Sequence, residues 1–167
     1  MADLLRRTRR AYARDHARPL GGYLAALAGY GAYVAGWAAA VRRSGAAPPG
    51  RAEPWDVALT AVATFRLSRL LTKSAVTSPL RAPFTTYHGP QGPAELDERP
   101  RDGARKTAGE LMTCPFCMSV WVGTALTASR VLWPRATRAA VAIMATVAGA
   151  DALQLAYSLL TDRVTKD

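Results

Sequence analysis

The stretch LGGYLAALAGYGAYVAGWAAAV, Leu20 to Val41, holds 22 residues and no charge. Coiled as a helix at about 1.5 Å per residue, it would cover roughly 33 Å, enough to cross a hydrocarbon core of about 30 Å. A second stretch of the same length, Ala139 to Leu160, carries a single charge, Asp151. Half of the 167 residues are hydrophobic and the formal net charge is +10. The 22 lysines and arginines lie almost entirely between the apolar stretches, whereas a soluble domain scatters its charges over helix faces. That segregation predicts an all-α integral membrane bundle of about four helices with a long cytoplasmic loop.

Two shorter segments complete the four. Trp55 to Leu71 is interrupted by Arg66 and Arg69, and Thr113 to Ser129 is closed by Arg130, Trp133 and Pro134. In the third, Arg130 can extend its head to the interface, and Trp121 and Trp133 suit the headgroup level. The second is the hardest to insert: Val57 to Phe65 supplies only nine uncharged residues before two arginines arrive. An arginine at a helix centre costs about 2.5 to 3.5 kcal/mol on insertion scales, so these two need water or a carboxylate. The resulting organisation is a basic cytoplasmic arm over 1–18, a first transmembrane helix over 19–42, and a membrane domain over 55–163. Within that domain helices are expected at about 55–73, 113–133 and 137–161, joined by a cytoplasmic loop over 74–112.

Orientation follows from the basic residues at the ends of these segments. With the N-terminus inside, the arm, the 73–106 loop and the tail hold fourteen, against six in the two outer loops, as the positive-inside rule requires. The chain is therefore expected to be multi-pass, with both termini cytoplasmic. The first span is too long for the apolar region of a cleaved signal peptide, which uses about 7 to 15 residues. Arg6, Arg7, Arg9 and Arg10 read as an anchor for anionic lipid. No zinc-finger spacing, aromatic RNA-binding signature or basic recognition helix points to nucleic acid.

Within the long loop, Thr77 to Phe84 is turn-rich, with Pro79 and Pro83 biasing their predecessors away from helix. The stretch from Gly89 to Asp102 mixes Gly, Pro and charge, and is expected to be a solvated linker. From about Asp102 a short helix should lead through Met112 into the third span.

Three constellations could carry chemistry. Arg66, Arg69 and Lys73 share one helix face, and Thr77, Ser78 and Arg81 follow in the same loop, so the six are candidates for an anion or lipid-phosphate site at the cytoplasmic edge. Positive-inside decoration explains the same residues without a ligand. Asp151, an acid inside a span, should face the bundle interior and pair, with Arg66 or Arg69 as the partner. On that expectation Asp151→Asn lowers folded yield far more than replacement of Glu95.

Cys114 and Cys117 form a Cys-x-x-Cys pair beside Pro115 at the start of the third span. At a helix N-terminus such a pair can act as a redox dithiol, or join His16 and His88, or a second protomer's pair, around a metal. Two thiols packed at a helix start are the plainer account, since no βαβ pattern is present and the pair faces a reducing compartment. Glu110, just before them, could meet Lys106. No phosphate-binding loop, nucleophile elbow, metalloprotease helix or dinucleotide fingerprint occurs, so no catalytic residue and no cofactor is assigned, and the balance leans away from an enzyme. The expected partners are the bilayer and its anionic lipids, with a membrane-protein partner or a second copy beside them. The alternative function is a membrane thiol oxidoreductase or a metal-binding protein.

Three runs in order carry a resemblance: Ala63 to Lys73 (ATFRLSRLLTK), Val76 to Phe84 (VTSPLRAPF) and Gly109 to Cys117 (GELMTCPFC). Together they resemble the bacterial domain-of-unknown-function family 1360, over about Trp55 to Arg163. The resemblance implies a small bacterial membrane protein, so the expected location is a bacterial plasma membrane, and it brings no activity, substrate or cofactor with it.

Overall fold

The computed structural model describes residue 12 and residues 19–48, 50–51 and 53–165. The basic arm, with His16, lies outside them apart from Tyr12. The described chain is mostly helical: α1 (Leu20–Ser44), α2 (Pro54–Lys73), α3 (Ser78–Arg81), α4 (Lys106–Thr113), α5 (Pro115–Leu132) and α6 (Pro134–Val164). Two strands, β1 (Thr85–Pro90) and β2 (Leu96–Pro100), lie between α3 and α4, so the fold is not purely helical as expected.

Proline marks four of these starts, Pro79 in the short α3 among them. Pro54, Pro115 and Pro134 each sit in the first turn of their helix, where the missing N–H costs nothing and the fixed φ suits the helix. Gly45 ends α1 at φ +68, a left-handed stop that favours glycine.

Two helices, α1 and α6, are long and apolar enough to cross a membrane. α4 and α5 meet at a 70° bend and would count as a third span if taken together. The expected 113–133 helix is α5, parted at Cys114 from the short helix expected before it, which is α4; α6 starts before and ends after the expected 137–161. α2 packs mainly on α5 and α6, and α5 also meets α6. α1 lies at the side, touching α5 and α4, with no buried residue of its own.

The 74–112 segment departs most from expectation. Its Gly- and Pro-rich part is an antiparallel ribbon, with Thr85 opposite Pro100, Tyr87 opposite Glu98 and Pro90 opposite Leu96. A bulge between Tyr87 and Gly89 shifts the register, and Gly89 accepts it at φ +151, which side-chain-bearing residues rarely adopt. Ser74 bridges to Glu95, so the ribbon caps the end of α2 instead of floating as a linker. α4 packs beneath it through Gly109, where an added Cβ would stand 2.6 Å from the Phe84 carbonyl oxygen.

The distribution of polarity is inverted relative to a soluble domain. The largest fully buried side chains are Arg81, Thr72 and Ser68, and only Ala63, Val122 and Val141 form a buried apolar core among the described residues. Leu24, Leu27, Val57, Phe65, Ile143, Leu153 and Leu159 are exposed. Apolar surface on that scale is unusual for a soluble monomer and fits a hydrocarbon surround.

Candidate functional site

Arginine–carboxylate pairs converge on α2. At its lower end the chain turns through a 3₁₀ segment (Ala75–Thr77) into α3, and this turn brings Arg81 back under the helix. Arg81 has no exposed surface. Its Nε donates to Glu98 Oε2 at 2.5 Å, Nη1 to the Leu71 carbonyl at 2.9 Å and to Thr77 Oγ1 at 2.7 Å, and Nη2 to the Ser74 carbonyl at 2.9 Å. Thr77 in turn donates to the Leu70 carbonyl at 2.6 Å. Carbonyls in the last turn of a helix lack intrahelical partners, so Arg81 and Thr77 together cap α2, and Glu98 neutralises the cap. Thr85 completes the nest by donating to the Arg81 carbonyl at 3.0 Å.

One turn up, Arg69 forks onto Glu95: Nε to Oε1 at 2.9 Å and Nη2 to Oε2 at 2.6 Å. Lys73 donates to the Gln91 side-chain oxygen at 2.9 Å. Higher again, Arg66 Nε lies 2.6 Å from Asp151 Oδ2 on α6. That contact is a charge pair out of hydrogen-bond alignment, since the buried Nε–H has no aligned acceptor. At the opposite end of α2, Asp56 pairs with Arg130 of α5.

These pairs revise the expected anion site. Arg69 and Arg81 do not present a free basic face, because Glu95 and Glu98 fold back onto them. Thr77 is turned inward as a cap, and Ser78 starts α3, half-buried. Of the two partners considered for Asp151, the structure brings up Arg66; Arg69 goes to Glu95. Glu95 is consequently no bystander against which to judge Asp151. Glu110 does not meet Lys106, whose partner is Asp102 at 3.5 Å.

Cys114 and Cys117 are free thiols. Cys114 is the N-cap of α5, its sulfur accepting the Cys117 backbone N–H at 3.2 Å. Among the described residues no group of three or more His, Cys, Asp and Glu side chains stands together to hold a metal. His88 sits on β1, exposed beside Thr86.

Other features carry little sequence signal. Arg99, Arg101 and Arg105 are exposed on the cap. Arg101 donates to the Thr85 carbonyl at 2.9 Å and Arg105 to the Pro83 carbonyl at 3.0 Å. The Asp56–Arg130 pair could have been sought in the two charges that border facing segments.

A family model described as "Protein of unknown function (DUF1360)" matches residues 59–157, more than half of the chain. The chain belongs to that family. The DUF1360 match takes in Arg66, Arg69, Arg81, Glu95, Glu98, both cysteines, Arg130 and Asp151, and leaves α1 and Asp56 outside. No curated protein and no solved structure matches this DUF1360 chain.

Proposed function

We propose that this DUF1360 protein is a multi-pass protein of a bacterial plasma membrane, N-terminus in the cytoplasm, that binds anionic lipid at its cytoplasmic edge. The observation that carries the membrane reading is the inverted polarity, with Arg81, Thr72 and Ser68 inside and leucines outside. An unpaired arginine is too costly at membrane depth, and pairing removes that obstacle for α2.

The lipid-facing residues are not those that the sequence singled out. Arg69 and Arg81 build the cap, while Arg99, Arg101 and Arg105 are exposed on its surface and have no carboxylate partner among the described residues. Basic side chains near an anionic leaflet are each worth about 1 kcal/mol, so three give about 3 kcal/mol of attraction. The basic arm over 1–18 belongs to the same side in the proposed orientation.

The test uses the full chain in nanodiscs containing phosphatidylglycerol. Replacing Arg99, Arg101 and Arg105 with Gln should cut the phosphatidylglycerol retained on native mass spectrometry several-fold; because Arg101 and Arg105 also bond the Thr85 and Pro83 carbonyls, Arg99→Gln alone serves as the variant that lowers retention with the melting temperature unchanged. Unchanged retention would refute the cap as the lipid-binding surface.

A further inference from the structure

A groove of about 1030 Å³ runs along the wall between α2 and α5, from Arg51, Arg130 and Arg138 at one end to Phe65, Arg69 and Phe116 at the other. Its charged mouth lies at the start of α2, at the opposite end of that helix from the cap. From Asp56 to Arg69 the helix rises about 20 Å. That exceeds the roughly 15 Å depth of one leaflet, half of a 30 Å hydrocarbon core.

Two observations say what would fill it. Four of the five hydroxyls along its wall, all but Thr127, are turned back to their own helices: Thr60 donates to the Asp56 carbonyl, Thr64 to the Thr60 carbonyl and Ser119 to the Phe116 carbonyl, at 2.7 Å each. Ser68 does the same to the Phe65 carbonyl at 2.9 Å. Those hydroxyls are therefore already satisfied, and with Val57 and Ala61 the walls offer methyl and methylene surface. The mouth is different. Arg130 is taken by Asp56; of the charges left at the mouth, Arg51 and Arg138 outnumber Glu53, and all three are exposed and make no ion pair among the described residues. Hydrocarbon walls ending in two uncommitted guanidinium groups complement an amphiphile with an anionic head.

We propose that the α2–α5 groove holds one acyl chain of an anionic phospholipid, with its phosphate at Arg51 and Arg138. The proposal rests on the membrane reading above, but on none of the residues of the cap. In the orientation proposed there, the bound lipid comes from the outer leaflet.

Two variants separate head from tail: Arg51→Gln with Arg138→Gln removes the charges, and Ala61→Trp fills the groove from an exposed position. Full-length protein is delipidated in detergent, offered phosphatidylglycerol, and read by native mass spectrometry, with the melting temperature as the check on folding. The expected result is one lipid retained after mild activation, and at least a five-fold loss of it in each variant. The Arg99, Arg101 and Arg105 triple variant should lose the cap's more loosely held lipid, which leaves on mild activation, and keep this one, so failure of the cap reading and failure of the groove reading are distinguishable. Retention unaffected by Ala61→Trp would overturn the acyl-chain assignment, leaving a surface-adsorbed headgroup. Equal retention of phosphatidylcholine would overturn the role of the arginines, and a protein dimer lost on Ala61→Trp would assign the groove to a second copy instead.

Discussion

Helices α1 and α2 run side by side with α5 and differ in almost every other respect. α1 is 25 residues long, bears charge only in its last turn, lies outside the family match and has no buried residue. α2 is 20 residues long and carries Asp56, Arg66, Arg69 and Lys73. Yet α2 is the hub against which α5 and α6 pack. α1 can enter a membrane on its own composition; α2 can do so only with partners, which the rest of the family region supplies as Arg130, Asp151, Glu95 and Gln91. Apolarity places a helix in lipid, and paired charge decides what it is attached to.

The comparison is broken most directly at Arg81. Arg81→Met leaves Glu98, itself 8% exposed, as a buried charge with its main partner gone, a loss of about 3 to 5 kcal/mol. The melting temperature in detergent should fall sharply, and the double variant Arg81→Met, Glu98→Met should recover part of it. A full-strength fold in the single variant would show that the cap is not what holds the end of α2. Next comes Asp151→Asn, which strips Arg66 of its counter-charge and returns up to about 2.5 to 3.5 kcal/mol of insertion cost. The expected outcome is reduced membrane-inserted yield, restored in part by a second change, Arg66→Leu; absence of rescue would separate Asp151 from Arg66. The smallest effect belongs to α1. Tyr30 shares a hydrogen bond of 2.8 Å with Thr124 and packs edge-on against Trp121. Tyr30→Phe keeps the ring and removes the hydroxyl, at about 0.6 kcal/mol by the average for interhelical bonds in membranes. A loss as large as that at Asp151 would make α1 part of the hub.

How much of this was legible in the sequence depends on distance along the chain. Hydropathy located α1, α2, α5 and α6 to within a few residues, because each is written in a local composition. The family was legible too, from motifs that now have physical meaning: Arg66, Arg69 and Arg81 lie in its first two runs, and Gly109 opens the third where only a hydrogen fits beneath Phe84. The cap was not. Gly89, Pro90, Gly92 and Pro93 read as a solvated linker because turn-formers and charges are what a linker contains, and nothing in the string says that Glu95 and Glu98 will find arginines 26 and 17 residues earlier. For the same reason a constellation that looked like an open anion site is largely neutralised in the fold, and the exposed arginines lie on the segment that had been read as linker.

The pairing of Arg66 with Asp151 also sets an order of events during synthesis. Arg69 and Arg81 meet their carboxylates as soon as the ribbon has emerged, but the acid that answers Arg66 lies 85 residues downstream of it. At 5 to 20 residues per second, a ribosome needs roughly 4 to 17 seconds to reach it. For that interval α2 holds an arginine with no counter-charge, so on the proposed membrane reading its settling into the bilayer is tied to the arrival of α6.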